Sequence, residues 1–433
     1  MAKPVGASCN LACHYCYYQK GTDALMSDAT LEEYIRQYIA MQTTGHALFT
    51  WHGGEPMLRP LSFYRKALAL QRRYAGSMHI ENCIQTNGTL LTPEWCRFLH
   101  DNHWLVGISI DGTEPMHNAH RGHTWSRVME GIRLLQHYGV EWNAMATVHS
   151  ANASQPLEFY RFFRDTLRCR YLQFTPIVES DGRHVHPLAV TPQQWGIFCS
   201  TIFDEWVSRD VGHMFVQLFD ATLANWLGVS PGLCTLAAEC GHAGVIEANG
   251  DVYSCDHFVF PEHRLGNIHS DTLINMMYGP KQSRFSALKS HLLPDQCRQC
   301  RWLFACHGEC PKNRISTRDP KEIRNAEGIA SCSSAVGEAG ADIKELRERS
   351  GNEECCRHRE KALSLSAKPE RNLHEPLRAK RQLEIRNSQT SNINYLCSGY
   401  RHFFSHVAPQ MDIMATLYRQ GRAPAEIMTM KSR

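Results

Sequence analysis

The chain has 433 residues, 43% of them apolar, with 46 Lys and Arg against 43 Asp and Glu for a net charge of +3. That length suits two or three domains around a substantial core, and the balanced charge argues against nucleic acid or an anionic membrane surface as the main partner. No apolar run approaches the roughly 18–20 residues of a membrane span, and the first residues lack the roughly 7–15-residue apolar stretch of an export signal, so a cytoplasmic location is expected.

From residue 26 to about 228, short apolar runs alternate with longer helical patterns. Strands are predicted at 47–51, 79–85, 105–110, 141–148, 171–176 and 214–218, each rich in β-branched, aromatic or aliphatic residues and punctuated by Gly, Asn, Asp or Pro. Helices are predicted at 28–43, 60–75, 92–102, 125–138, 155–168 and 191–209. Val128, Ile132 and Leu135 fall on one face of the fourth, and Thr92 before Pro93 reads as a helix cap. Such alternation implies a mostly parallel sheet with helical crossovers, an open sheet and a full or partial barrel being equally compatible. After residue 230 the texture changes to turns, glycines and cysteines, as in a small domain organised around metal. A hairpin is expected over 244–253, turning at Asn249 and Gly250. Residues 314–390 carry sixteen Lys/Arg and thirteen Asp/Glu with few large apolar residues, which reads as a solvated insertion, partly helical at 338–349.

Eighteen cysteines without an export signal point to metal or thiol chemistry in a reducing compartment rather than to disulfides. Cys9, Cys13 and Cys16 form C-x3-C-x2-C. Three thiolates on one tight loop can hold three irons of a cubane and leave the fourth open to an exogenous ligand, whereas a closed four-ligand site is structural. A zinc site short of one ligand is the alternative, and His14 is poorly placed to complete it. His52, Gly53, Gly54, Glu55 and Pro56 end one strand, while Gln85-Thr86-Asn87-Gly88 and Ser109-Ile110-Asp111-Gly112 end the next two. Ligand-facing polar residues belong at such C-terminal strand ends.

The cysteine triplet followed at this offset by Gly-Gly-Glu resembles the radical S-adenosylmethionine superfamily. The resemblance implies a partial (β/α)6 TIM-like barrel, a 4Fe-4S cluster on the three cysteines, and S-adenosylmethionine bound to its open iron. By the same resemblance Tyr15, Gly54, Ser109, Arg121 and Val178 would line the S-adenosylmethionine site. Two departures are visible: only eight residues precede Cys9, so either the first strand is short or the natural start lies upstream, and the connection after Arg121 is brief.

Cys297, Cys300, Cys306 and Cys310 taken alone could form one four-thiolate zinc site. With Cys234, Cys240, Cys255 and Cys397 they supply two complete four-ligand sites. The set resembles the SPASM domain of the anaerobic sulfatase-maturating enzymes, which holds two auxiliary 4Fe-4S clusters. The resemblance implies Cys234, Cys240, Cys255 and Cys310 on one cluster and Cys297, Cys300, Cys306 and Cys397 on the other. It also implies domain boundaries of 1–228 for the barrel, 229–313 for the SPASM domain, 314–390 for the insertion, and 391–433 for the last ligand and a C-terminal helix. The gap of 86 residues before Cys397 is longer than usual, which loop-closure entropy tolerates. Cys83 and Cys199 read as small buried apolar residues.

Asp256, directly after Cys255, reads either as a turn aspartate or, by the resemblance, as the catalytic base, with a nearby reduced cluster expected to raise its pKa. Tyr18, His52 and Gln173 would line the substrate channel. The implied reaction converts a cysteine or serine in a Cys/Ser-x-Pro-x-Arg segment of a sulfatase to Cα-formylglycine, with a flavodoxin- or ferredoxin-like electron donor and a monomeric enzyme expected. Another peptide modification, such as a thioether or carbon–carbon crosslink, and a non-catalytic electron-transfer protein are the alternatives.

Overall fold

The computed structural model describes residues 1–18, 24–180, 185–315 and 392–430, so the expected insertion lies outside the described residues from 316 onward. Residues 1–179, 186–315 and 389–433 form one compact unit. Of a second unit only Ser180 and Val185 are among the described residues, and they form an isolated bridge.

The large unit is built on a six-stranded sheet in chain order: β1 (His46–Trp51), β2 (His79–Thr86), β3 (Leu105–Ser109), β4 (Trp142–Val148), β5 (Tyr171–Pro176) and β6 (Phe215–Val216). Every neighbouring pair is parallel, and no pairing of β6 with β1 occurs among the described residues, so the sheet is a partial barrel. The crossovers are α1 (Asp28–Ala40), α2 (Leu61–Tyr74), α3 (Pro93–Asp101), α4 (Glu114–Arg121) with α5 (Trp125–His137), α6 (Pro156–Arg161) and α7 (Pro192–Arg209). Their starts follow local chemistry. Ser27 accepts from Thr30 N at 3.0 Å, Thr92 accepts from Trp95 N at 3.3 Å, and Thr191 and Gln194 form a reciprocal capping box.

Strand alternation separates two environments. Ile84, Val106, Ile108, Ala144, Ala146 and Leu172 are buried, as are Val128, Ile132 and Leu135 on α5. Gln85, Ser109, Met145 and Gln173 occupy the intervening, half-buried positions. The register aligns Ser109 with Met145 and Met145 with Gln173, so these side chains share one face.

Beyond β6 come α8 (Gln217–Leu227) and an antiparallel sheet of β7 (Val245–Ile246), β8 (Asp251–Tyr253) and β9 (Arg264–Asn267). The expected hairpin turns at Gly250, whose φ of +87° suits glycine. Then follow α9 (Leu273–Tyr278), α10 (Pro280–His291), α11 (Asp295–Arg298), α12 (Leu303–Cys306) and, after the insertion, α13 (Cys397–Arg419). Gly399 of α13 lies so close to α7 that a Cβ there would meet Pro192 O at 2.2 Å, which fixes the first turn of α13 against the barrel.

Several elements depart from the sequence reading. Residues 214–218 read as one strand, but β6 ends at Val216 and α8 begins at once. The predicted helix at 155–168 is α6 followed by a π-turn at Phe162–Thr166, which lets consecutive Phe162 and Phe163 both point inward. α10 escaped detection because its buried face is Gln282, Phe285, Ser286 and Lys289, a mostly polar set with no apolar stripe. The strand expected ahead of Cys9 is a single residue, Ala2, bridging in parallel to both Trp51 and Ile246. The Gly-Gly-Glu segment therefore follows the first regular strand of the sheet.

Candidate functional site

The loop carrying Cys9, Cys13 and Cys16 lies over the C-terminal ends of β1 and β2, held by its backbone. Gly54 N donates to Gly6 O and Glu55 N to Ser8 O, each at 2.8 Å. A Cβ on Gly54 would sit 2.0 Å from Ser8 O, so only glycine allows this approach. Glu55 is buried and accepts from Met57 N (3.0 Å), Thr86 Oγ1 (2.7 Å) and Asn87 N (2.8 Å). Burial pushes its carboxyl up to about 7 against these donors. Asn87 then donates to Asn10 Oδ1 at 2.8 Å, and Asn10 to Thr89 Oγ1 at 2.9 Å, so the Gln-Thr-Asn-Gly segment pins the loop from its other side.

Asp111 is the hub beside this loop. It is wholly buried and accepts from the Tyr15 hydroxyl, from Arg121 Nε (2.8 Å) and Nη2 (3.2 Å), and from Thr147 N (2.8 Å). Burial opposes its ionisation, but Arg121 overcomes this and holds the carboxyl below the usual range. The Arg121 guanidinium also lies 5.4 Å from the Tyr15 ring centroid. It arrives on α4, a helix the sequence reading missed, whose His120 O accepts from His14 N at 2.9 Å. Ser109 accepts from Gln85 Nε2 at 3.0 Å, and Val178 is buried just past β5.

Burial raises the predicted cysteine thiols, and the smaller effects of neighbouring thiolates mark which of them lie near one another. Cys9, Cys13 and Cys16 raise one another. Cys255 is coupled to Cys234 and Cys240, and Cys310 to Cys255. Cys306 is coupled to Cys297 and Cys397, and Cys397 to Cys297 and Cys300. Burial pushes Cys255 and Cys306 up to about 12, so iron would displace protons from neutral thiols here. Among the described residues the only three ligand atoms within 4.8 Å of one another belong to His46, His79 and Glu81, exposed near the N-terminal ends of β1 and β2. Four sulfurs on tetrahedral zinc would stand about 3.8 Å apart. No cysteine trio among the described residues is that tight, and thiolates are the donor set that iron–sulfur cubanes take. Two buried cations face the auxiliary groups. Lys289 donates to Cys234 O at 2.7 Å and Thr235 O at 2.8 Å, and Arg314 donates to Lys289 O at 2.9 Å.

Asp256 begins a short turn immediately after Cys255. Its Oδ1 lies 2.5 Å from Lys3 Nζ, and its Oδ2 accepts from the Tyr17 hydroxyl. Burial would raise this carboxyl, but Lys3, His52 and His257 outweigh it and hold the group well below the usual carboxylate range. Lys3, which the sequence reading did not include, thus acts on this carboxylate in the opposite sense to the rise expected from a reduced cluster. Tyr18 is buried, with its hydroxyl donating to Glu247. His52 is half-buried, accepts from Gly53 N at 2.7 Å, and has its pKa lowered by burial. Gln173 stands on the half-buried face of β5. Cys83, expected in the core, is only half-buried and donates to Thr50 Oγ1 at 3.2 Å, whereas Cys199 is fully buried.

Sequence reasoning missed Lys3, Tyr17 and Glu247. Tyr17 directly follows Cys16 and Lys3 stands six residues before Cys9, but Glu247 had no local signal and is recruited only by the fold.

A family model described as the radical SAM superfamily matches residues 4–163, and one for the iron-sulfur cluster-binding SPASM domain matches 238–301. The chain is 47% identical over 456 residues to a serine-type anaerobic sulfatase-maturating enzyme of Bacteroides thetaiotaomicron, covering 99% of this chain and 94% of that relative. It is 32% identical to a cysteine-type enzyme of Clostridium perfringens over 74% of this chain and 90% of the relative. The solved structure of native anSMEcpe with bound AdoMet and Kp18Cys peptide superposes with a TM-score of 0.74 at 27% identity, covering 96% of this chain and 98% of that one.

Proposed function

The chain belongs to the anaerobic sulfatase-maturating enzymes, and from that premise we propose that it oxidises a cysteine or serine of a sulfatase polypeptide to Cα-formylglycine. The observation that carries the reading is the segregation of eleven cysteines into one group of three and two of four, the three lying on a loop clamped by Gly54 and Glu55. Cys9, Cys13 and Cys16 would hold the reactive 4Fe-4S cluster. Cys234, Cys240, Cys255 and Cys310 would hold one auxiliary cluster, and Cys297, Cys300, Cys306 and Cys397 the other. When bound, the first cluster and S-adenosylmethionine supply the 5′-deoxyadenosyl radical that removes a hydrogen from the substrate β-carbon.

The rest is placement by this chain. Tyr15, Gly54, Ser109, Arg121 and Val178 line the S-adenosylmethionine pocket, with Asp111 fixing Tyr15 and Arg121. Tyr18, His52 and Gln173 line the peptide channel. Asp256 receives the proton of the substrate thiol or hydroxyl, and the eight auxiliary cysteines would hold clusters able to supply an acceptor for the second electron. A flavodoxin- or ferredoxin-like protein supplies reducing equivalents. A monomeric enzyme in the cytoplasm completes this reading. No described helix is long and apolar enough to cross a membrane.

The test is mass spectrometry of peptides bearing Cys-x-Pro-x-Arg or Ser-x-Pro-x-Arg after anaerobic turnover. A loss of roughly 18 Da from cysteine or roughly 2 Da from serine identifies formylglycine. Given the higher identity to the serine-type relative, turnover of the serine peptide is expected. Adenosylmethionine cleavage with neither mass change overturns the proposal. Gly54→Ala drives a methyl group into Ser8 O and is expected to lower adenosylmethionine cleavage about a hundredfold, the usual consequence of a 1 Å displacement at a reacting centre. Wild-type rates in that variant would show that the loop yields freely.

A further inference from the structure

Lys3 is wholly buried, with its Nζ 2.5 Å from Asp256 Oδ1, 3.9 Å from Glu247 Oε1 and 3.2 Å from the centroid of the Tyr18 ring. A buried ammonium is tolerated only where carboxylates and π-faces replace its water, and all three neighbours do so here. Its backbone is equally constrained. Ala2 N donates to Thr50 O at 2.8 Å, His52 N donates to Ala2 O at 2.8 Å, and Lys3 N donates to Ile246 O at 2.9 Å. Gly53, at φ +129°, leaves room for Lys3, because a Cβ there would come within 3.2 Å of Lys3 Cβ. The main chain is thus gripped by barrel and hairpin together, and the side chain runs across Tyr18 to the carboxylate.

We propose that Lys3 is a positioning residue that fixes the Asp256 carboxylate in the orientation from which it receives the substrate proton. Lys3 forms a buried ion pair with Oδ1 and the Tyr17 hydroxyl donates to Oδ2, so each carboxylate oxygen has its own neighbour. An ionised carboxylate offers about four lone-pair directions, so two holders leave others for the substrate. The same ammonium ties Glu247, the acceptor of the Tyr18 hydroxyl, so one cation orders both the base and a wall of the channel. This inference rests on the reading of Asp256 as the base.

The test compares full-length, iron-loaded wild type with Lys3→Met, Lys3→Gln, Lys3→Arg, Asp256→Asn and the double variant Lys3→Met/Asp256→Asn. Three readings are taken: iron per chain, 5′-deoxyadenosine formed, and formylglycine formed. Lys3→Met is expected to keep its iron and to raise deoxyadenosine per formylglycine at least tenfold, within the roughly 10²–10⁴ that a positioned base contributes. Lys3→Gln, which keeps a polar end in the pocket, is expected to uncouple likewise should the methionine variant fail to load iron. Lys3→Arg, retaining the charge, is expected to recover part of the coupling, which a merely space-filling role would not require. In the Asp256→Asn background, Lys3→Met is expected to add less than about twofold. Wild-type coupling in either loaded neutral variant, or a full further loss in the double variant, overturns the proposal. If Asp256→Asn itself couples normally, the base assignment falls instead. Normal Lys3→Met beside impaired Asp256→Asn removes Lys3 alone.

Discussion

Replacing Cys13 with alanine is expected to abolish adenosylmethionine cleavage and to lower iron from about twelve to about eight atoms per chain, since three cubanes need about four irons each. Cys13 is the buried member of its trio, whereas Cys9 and Cys16 are exposed. It is coupled electrostatically to both Cys16 and Arg121, so it marks where loop and cofactor pocket meet. The loop itself should persist, because Gly6, Ser8 and Asn10 anchor it without help from any sulfur. The eight auxiliary thiols are untouched, so a residue of about eight irons is specific to this reading. Iron and sulfide quantitation beside a deoxyadenosine assay decides it, with Cys199→Ala as the control in which all iron stays. Full iron in Cys13→Ala, or zinc in the wild type, would remove the reactive cluster from that loop.

Asp256→Asn should behave in the opposite way. Iron content and adenosylmethionine cleavage are expected to survive, while formylglycine formation falls by about 10²–10⁴, the contribution of a positioned general base. Asparagine keeps the shape and can still accept from the Tyr17 hydroxyl, but it receives no proton at neutral pH. It also takes away the carboxylate nearest the buried Lys3 ammonium, leaving Glu247 and the Tyr18 ring, so a lower thermal midpoint should accompany it. Fast formylation by this variant would return Asp256 to the role of a turn residue.

The barrel was legible because its strands and helices repeat a local period. β1 to β5 fall within a residue or two of where the apolar runs place them. The cysteines were legible because ligand spacing is itself a sequence pattern. What stayed hidden was set by contacts between distant residues. α10 buries polar side chains beside thiols, so no hydrophobic periodicity marks it. Lys3 and Glu247 stand 244 positions apart and meet only because Ala2 bridges Trp51 and Ile246. Asp256 was found by its place after Cys255, but its electrostatic setting was read incompletely because no local rule supplies a buried lysine from the chain start.

The double bridge at Ala2 has a consequence for biosynthesis. Its first partner, Trp51, leaves the ribosome soon after it, but the second, Ile246, is made nearly two hundred residues later. At about 5–20 residues per second the opening segment waits on the order of ten to forty seconds between the two. Throughout that interval the first residues are paired on one side only, so complete seating of the opening segment is a late event in synthesis.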